Sequence, residues 1–458
     1  MIFRGFFVIS RPKPLFVKLP LFMESSLQTP VLQKDRIFIL DAIRGVALLG
    51  ILLMKIPGFG QSYAIHDNLA VLNEMTGPNF WAWAIVNGGF EGTMRGLFSI
   101  LFGASSLLLL NRLIKNNAGI TPADIYFRRL LWMLVFGLIN AFVLLWPGDI
   151  LYSYALCGFL LFPFRQFNPR QLVFASLVVL AIATYKENSE LFRDKAKMRK
   201  GLAAEALEKK KVKLTETQKN ELEAWHEMVH NASIEHIKHE VESANKEVRA
   251  GYVSAYKSME DVNIEIQSRE FHQEGIWDIM LFLFIGMALF KWGVLTNQQP
   301  SWLYWALLVV GYGVGLTLNY YRMDFVYHIN FDAVKYWENW PFEYYEIRRV
   351  FHTLGHLGLL MVLYRSGIFG WFFKTMAPVG QMAFTNYLSQ TIICGIIFNG
   401  SGLGWFGYLQ RYQLYEVVLG IWIFQIIFSN VWMRFYLFGP FEWLWRSLTY
   451  WKRQAIRR

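Results

Sequence analysis

Cysteine and charge are both scarce in this sequence of 458 residues. There are two cysteines, Cys157 and Cys394, and both lie in apolar runs, which excludes a disulfide framework and a cysteine-based zinc site. Charged residues make up 17% of the chain and hydrophobic residues 54%. Several nearly uncharged stretches reach the roughly 20 residues that a helix needs to cross a bilayer. The composition therefore predicts a membrane protein.

The formal net charge of +11 does not indicate a nucleic-acid partner. The central charged block mixes Lys and Glu, so the positive excess lies beside the apolar runs and in the C-terminal tail. This distribution is typical of membrane topology and of contact with anionic lipid headgroups. The first residues are basic and apolar but are interrupted by Pro12, Pro14 and Pro20, and no cleavage site follows. They predict a cytoplasmic arm instead of a signal peptide.

The order of the apolar segments predicts an all-α, polytopic transmembrane bundle of about ten helices, with a soluble helical insertion. The positive-inside rule places both termini in the cytoplasm and the insertion outside. The predicted parts are an N-terminal arm (1–36), an N-terminal transmembrane bundle (37–185), the charged insertion (186–274), a C-terminal transmembrane bundle (275–446) and a basic cytoplasmic tail (447–458).

The insertion is rich in Lys, Glu, Ala, Asn and His, with a thin apolar stripe that includes Leu202, Ala206 and Leu207. Such a stripe predicts a helical hairpin or a short coiled coil that packs on a protein partner, with partial disorder as the alternative.

Ionisable side chains inside predicted spans need a partner or contact with water, because burying them in lipid costs several kcal/mol. Asp41, Arg44 and Lys55 share one face of the first predicted helix. They predict either a polar seam in the bundle interior or an interfacial ion pair with Lys55 extending to the surface. Glu91 and Arg95 have the spacing of an i,i+4 ion pair, which is either part of a polar site or purely structural.

The apolar region 80–110 is longer than one span requires and is rich in glycine before Arg95. It predicts a re-entrant or kinked entry that leads into a helix from about residue 95 to residue 110.

His352 and His356 stand one helical turn apart at the start of a predicted span. Their spacing allows a general base, two metal ligands or hydrogen-bonded structural residues. No third ligand is obvious nearby, so no metal site is predicted.

Five blocks carry a family resemblance: 36–52, 97–103, 148–155, 381–390 and 439–446. Together they resemble the bacterial YeiB-like membrane proteins, whose C-terminal region is domain of unknown function 418. The resemblance implies that the bundle lies in the inner membrane of a bacterial cell. The Leu-Asp-x-x-Arg-Gly block around Asp41 and Arg44 also resembles that of the transmembrane acyltransferases. In that group a cytoplasmic thioester, here acetyl-CoA or another acyl-CoA, donates an acyl group to an acceptor at or across the membrane. One difference is Lys55, since glycan-modifying acyltransferases usually have a catalytic histidine near this point.

Three functions follow as hypotheses. The first is an acyl or acetyl transferase acting on a lipid or glycan acceptor, with His352, His356, Glu91 and Asp41 as catalytic residues. The second is a small-molecule or lipid transporter, and the third is a non-catalytic scaffold that uses the insertion to dock a protein partner. The remaining assigned residues are Arg44 and Arg95 for binding the acyl donor, and Lys55 and Asp149 for the substrate pathway.

Overall fold

The computed structural model describes residues 37–66, 68–116 and 119–458, and the predicted arm 1–36 lies outside them. Within these residues the only pairing of extended backbone is an isolated antiparallel bridge between Tyr436 and Arg457, so the predicted all-α class is confirmed. The helices are α1 (Phe38–Gly60), α2 (Gly77–Gly89), α3 (Thr93–Asn116), α4 (Thr121–Leu138), α5 (Ile150–Leu161), α6 (Pro169–Lys209), α7 (Glu216–Asn231), α8 (Ile234–Arg249), α9 (Tyr252–Glu265), α10 (Ile276–Lys291), α11 (Ser301–His328), α12 (Ala333–Asn339), α13 (Tyr345–Ser366), α14 (Gly370–Gln381), α15 (Ala383–Phe398), α16 (Arg411–Phe435) and α17 (Pro440–Tyr450).

Six helical stretches of the described chain are long and apolar enough to cross a membrane, fewer than the ten or so predicted. Two predicted spans are shorter than expected. Helix α5 has 12 residues and is about 18 Å long, less than a bilayer core. The apolar region 376–398 is divided between α14 and α15, which break at Met382. The six stretches are Gly77–Asn116, Thr121–Val143, Pro169–Lys209, Tyr252–Lys291, Ser301–His328 and Arg411–Phe435.

Helices α1 and α14 approach each other closely because two glycines meet at their crossing. A Cβ atom at Gly380 would lie 1.8 Å from the Asp41 carbonyl oxygen, and one at Gly45 would lie 2.3 Å from the Met376 carbonyl oxygen. Backbone contact of this kind is how small residues join transmembrane helices.

The kinked entry predicted before Arg95 is present. Helix α2 ends at Gly89, α3 begins at Thr93, and Gly92 between them has a φ of +68° that favours glycine. The break places Glu91 at the junction of the two helices.

The insertion is helical and is rooted in the bundle by continuous helices. Helix α6 runs for 41 residues out of the apolar region, and a π-helical segment, Ile266–Gly275, leads from α9 into α10. The insertion also docks on the chain's own bundle. Arg249 Nε donates to the Phe406 carbonyl (2.6 Å), and Asn263 Nδ2 donates to the Ala141 carbonyl (3.0 Å).

Candidate functional site

A cavity of about 530 Å³ lies where the insertion meets the bundle. Part of its wall comes from the start of α3, from the turn that precedes α5, and from α6. The rest comes from the π-helical segment, from α10 and from the chain between α11 and the start of α13. Nine carboxylic acids line it but only three basic side chains, Arg95, Lys186 and Arg322. We call it the acidic cavity.

An ionic network joins three helices at the floor of the acidic cavity. Asp278 on α10 contacts Arg95 on α3 at 2.5 Å and Arg349 on α13 at 2.7 Å. Arg349 also contacts Glu346 at 2.7 Å. Asp278, Glu346 and Arg349 are buried. Alternation of acid and base offsets the cost of removing these charges from water.

Glu91 belongs to a second buried cluster beside this network. Its carboxylate pairs with Arg348 and accepts a hydrogen bond from the Tyr345 hydroxyl (2.7 Å), while Arg348 Nη1 donates to Asn319 Oδ1 (2.8 Å). The predicted pairing of Glu91 with Arg95 is therefore wrong. The chain break at Gly92 removes the continuous helix that an i,i+4 pair requires, and each residue contacts other helices instead.

His356 is held by hydrogen bonds on both ring nitrogens. Nε2 lies 2.8 Å from the Gly89 carbonyl and 3.1 Å from Thr93 Oγ1, and Nδ1 lies 2.7 Å from the Tyr312 hydroxyl. A carbonyl only accepts, so Nε2 donates to Gly89 and, in the neutral ring, Nδ1 accepts from Tyr312. This arrangement fixes the tautomer and the ring orientation.

His352 lies next to His356 with the ring centroids 4.7 Å apart. It is 1% exposed, and neither ring nitrogen has a hydrogen-bond partner within the described residues. Neither histidine lines the acidic cavity.

Asp41 and Arg44 form the ion pair that their spacing predicts. Arg44 Nη1 lies 2.8 Å from Asp41 Oδ1, and Arg44 Nη2 donates to Ser105 Oγ at 2.8 Å. Ser105 is twelve residues beyond Thr93 on α3, a separation of about 18 Å along the helix. The structure therefore does not bring the predicted donor-side pair together with the predicted histidine base.

Polar side chains continue along α3 between these two levels. Ser99 Oγ and the Tyr154 hydroxyl are 2.5 Å apart, and they lie 2.9 Å and 3.3 Å, respectively, from the Arg95 carbonyl. Arg95, Ser99 and Ser105 form what we call the α3 polar line. It spans ten residues, or about 15 Å.

Lys55 is buried in aromatic side chains and does not extend to the surface, so that alternative is wrong. Its ammonium lies 4.0 Å from the ring centroid of Tyr387 and 4.7 Å from that of Trp146, and it has no hydrogen-bond partner among the described residues. The Tyr387 hydroxyl donates to Asp149 Oδ1 at 3.1 Å. Asp149 lines the acidic cavity, so it connects the Lys55 cluster to that space.

Asp149 lies in the turn before α5, outside the candidate membrane spans. Burial raises the pKa of its carboxyl group to about 6, although hydrogen bonds from the Tyr152 amide and Asn140 oppose the shift. Its two oxygens accept from Asn140 Nδ2 (2.7 Å) and from the Tyr152 amide (2.8 Å).

Sequence analysis missed Asp278, Arg348 and Arg349. Asp278 is the single acid in the otherwise apolar α10, and an acid tolerated in such a helix indicates a buried partner. Arg348 and Arg349 directly precede the apolar run that begins at Val350, so the sequence pattern places them in a polar segment outside the span. Both are almost completely buried.

The chain is similar to known proteins along nearly its whole length. Residues 289–452 match the family model described as protein of unknown function (DUF418). The chain is 27% identical to the uncharacterized protein YxaH of Bacillus subtilis (strain 168) over 446 aligned residues, covering 95% of this chain and 99% of that protein. It is also 27% identical to the uncharacterized protein YeiB of Escherichia coli (strain K12) over 435 aligned residues, covering 91% and 96%.

These matches support the predicted resemblance to the YeiB-like DUF418 family. The region matched by the family model holds Arg348, Arg349 and both histidines, whereas Glu91, Arg95 and Asp278 lie in the part covered by the full-length relatives. A third relative, an uncharacterized 39.9 kDa protein in the amylase 3′ region of Bacillus acidopullulyticus, is 25% identical and covers 92% of the chain. No solved structure matches the chain.

Proposed function

We propose that the protein is a membrane transporter for a small molecule and that the acidic cavity is its substrate-binding site. The observation that supports this is that Arg95 belongs both to the cavity lining and to the α3 polar line. Ser99 lies one turn further along α3, and Ser105 lies at the level of the Asp41–Arg44 pair, about 15 Å from Arg95 along the helix. Polar groups inside a transmembrane bundle mark substrate and ion pathways.

Under this proposal the route passes Ser99 and Tyr154, whose hydroxyl groups are in contact. Ser99 is 1% exposed, so the route is closed there, and movement of α3 relative to α5 opens it. The ionic network at the cavity floor allows such a movement without leaving the Asp278 carboxylate unpaired. Asp278 contacts both Arg95 and Arg349, so it keeps Arg349 as a partner when the Arg95 contact lengthens.

Cysteine accessibility tests transport without a known substrate. Both native cysteines are fully buried, and Cys157→Ala with Cys394→Ala provides a thiol-free background. In this background Ser153→Cys reports on the cavity, Ser99→Cys on the closed point and Ser105→Cys on the far end. The variants are reconstituted in proteoliposomes, and a small, membrane-impermeant thiol reagent is added to one side at a time.

A transporter exposes its central pathway to each side in turn. We therefore expect Ser99→Cys to react slowly from both sides, Ser153→Cys mainly from the cavity side and Ser105→Cys mainly from the opposite side. Ser99→Cys that stays unreactive from both sides, while the other two react, would contradict transport.

A second function, acyl transfer from a cytoplasmic CoA donor, is supported by the Asp41–Arg44 pair. The Arg44 side chain is 22% exposed, so its guanidinium remains accessible to a phosphate, and the block that carries it resembles that of the acyltransferases. The test is binding of acetyl-CoA to the protein in lipid nanodiscs.

Under this second function, Arg44→Ala abolishes saturable acetyl-CoA binding, and Lys115→Ala, an exposed change at the end of the same α3, leaves it intact. Equal binding by the two variants would remove the support for a donor site at Arg44.

A further inference from the structure

The charge of the acidic cavity is not balanced by its own lining. Arg349, just beneath the lining, adds one cation to the three that line it, against nine acids. It is shared between Asp278 and Glu346, which form the floor. On the walls, Glu190 and Asp194 pair with Arg193 and Lys197, so the excess negative charge lies mainly with Glu187, Glu270 and Glu274.

Acids on the walls lie close enough to repel one another. Glu274 is near both Glu190 on α6 and Glu270 on its own π-helical segment. Glu187 on α6 adds a further carboxylate, and its Oε2 atom is buried with no hydrogen-bond partner among the described residues. Like charges held together in a cavity favour binding of a cation.

A buried, half-satisfied carboxylate also points to a ligand. Glu346 is 4% exposed and lines the cavity, and only its Oε1 is bonded to Arg349. Its Oε2 atom is buried and has no partner within the described chain. A buried carboxylate oxygen without a hydrogen-bond donor lowers the stability of the fold. An ammonium group bound in the cavity would supply the missing donor.

The aromatic lining suits an organic cation better than a bare metal ion. Phe271, Trp277, Tyr336 and Trp337 face the cavity with the acids. The Lys186 ammonium already lies 5.3 Å from the Trp277 ring centroid and donates to the Gln273 carbonyl at 2.9 Å. An alkylammonium group is thus bound at the cavity wall by an aromatic face and a backbone oxygen.

The spacing of the acids also favours an organic cation over a metal ion. Among the described residues, no three His, Cys, Asp or Glu side chains are arranged to hold a metal ion. The acids are instead distributed around about 530 Å³, at the floor, on α6 and on the π-helical segment. Distributed acids match a ligand whose positive charges are themselves separated.

We propose that the acidic cavity binds a linear aliphatic polyamine, with two or more ammonium groups joined by methylene chains. The ammonium groups pair with the floor and wall acids, and the methylene chains pack on the aromatic rings. Binding of the polyamine does not depend on the proposed function. The inference rests on the proposed function only where it takes the bound polyamine to be the transported substrate.

The test is calorimetric titration of spermidine into the full-length protein in nanodiscs made of uncharged lipid. We expect saturable binding that weakens with added salt, because the partly exposed wall charges are screened. Spermidine should bind at least about tenfold more tightly than n-butylamine, which carries one ammonium group.

The deciding variant is Glu270→Gln with Glu274→Gln, because both side chains are exposed and their loss leaves the floor network intact. We expect its Kd for spermidine to rise about tenfold. The matched control is Glu227→Gln, an exposed change on α7 away from the cavity lining, which should leave the Kd unchanged. Glu346→Gln should weaken binding further, but it also disturbs Arg349.

Three outcomes would overturn the inference: no spermidine binding, binding that the double variant does not weaken, or tighter binding of n-butylamine than of spermidine. Displacement of spermidine by stoichiometric Mg²⁺ would also overturn it in favour of a metal site. Binding is measured without transport, so spermidine that binds but does not enter proteoliposomes would support the inference and count against the proposed function.

Discussion

At the scale of single residues, several charges in the interior of this protein are paired across helices. Glu91 pairs with Arg348, and Asp278 bridges Arg95 and Arg349. Pairs of this kind hold specific helices together, because removing one partner leaves an uncompensated charge inside the bundle.

The Glu91–Arg348 pair gives the first prediction. Arg348→Met leaves the half-buried Glu91 carboxylate with the Tyr345 hydroxyl as its remaining donor, and we expect it to lower the free energy of unfolding by about 2–3 kcal/mol, less than for a fully buried pair. Adding Glu91→Gln removes the orphaned charge and should recover part of the loss. Thermal unfolding in detergent measures both effects. The control is Lys219→Met, which breaks an exposed pair with Glu216 and should have little effect. Equal melting temperatures for Arg348→Met and Lys219→Met would show that the buried pair does not stabilise the fold.

Asp149 gives a prediction about pH. Its pKa is raised from an ordinary value of 3.8 to about 6, so the folded protein binds this proton more tightly than the unfolded chain does. The stabilisation is fully present below about pH 4 and is lost as the pH rises through about 6, a change on the order of 2–3 kcal/mol. Asp149→Asn removes the titrating group, so wild type should lose stability relative to the variant between pH 4 and pH 7.

The neighbours that face Asp149 are Lys55 on α1, Tyr387 on α15 and Asn140. Unfolding of both proteins is followed over the same pH series. A constant difference in stability between them would contradict a raised pKa for Asp149.

At the scale of helices, glycines and capping groups determine how closely the elements approach. Gly45 and Gly380 let α1 and α14 meet backbone to backbone. Glu442 at the start of α17 accepts from the Phe384 amide (2.7 Å) and the Thr385 amide (3.1 Å), so it caps α15. The Glu442–Arg446 spacing suggests a membrane anchor, but the Glu442 carboxylate instead accepts hydrogen bonds from the first turn of α15.

Gly380→Ala should destabilise the bundle by about 3 kcal/mol or more, because its Cβ would lie 1.8 Å from the Asp41 carbonyl oxygen and neither backbone can easily move. Gly370→Ala on the same α14 is the matched control, since nothing lies within 4 Å of its Cβ position. Yield and melting temperature after size-exclusion chromatography compare the two. Similar values for the two variants would mean that α1 and α14 can move apart without loss of stability.

At the scale of the whole molecule, the insertion and the bundle form one structure around the acidic cavity. Helix α6 and the π-helical segment each supply cavity residues and continue into apolar helices. A movement of the insertion therefore changes the cavity directly, which links a ligand there to the helices of the bundle.

The orientation of the chain decides which side of the membrane the cavity faces. We predict that Glu227→Cys, exposed on α7, reacts with an impermeant maleimide in intact bacterial cells. Lys452→Cys, exposed near the C-terminus, should react only after the cells are made permeable. If Lys452→Cys but not Glu227→Cys reacted in intact cells, the orientation would be the opposite of the one predicted, and the cavity would face the cytoplasm.

Local pattern was sufficient for much of the fold. Length and apolar character placed the main helices, the break before α3 and the helical insertion, because these depend on segments that are continuous in sequence. The Asp41–Arg44 pair was also predictable, since its two members lie on one helical face.

Tertiary structure alone decided the partners of the remaining charges and the existence of the cavity. Glu91 and Arg95 have the spacing of a local pair, yet Gly92 breaks the helix and sends each to a partner more than 180 residues away. Lys55 reaches Tyr387 in the same way. Electrostatic pairing and cavity shape depend on distance in space, and a one-dimensional pattern does not contain that distance.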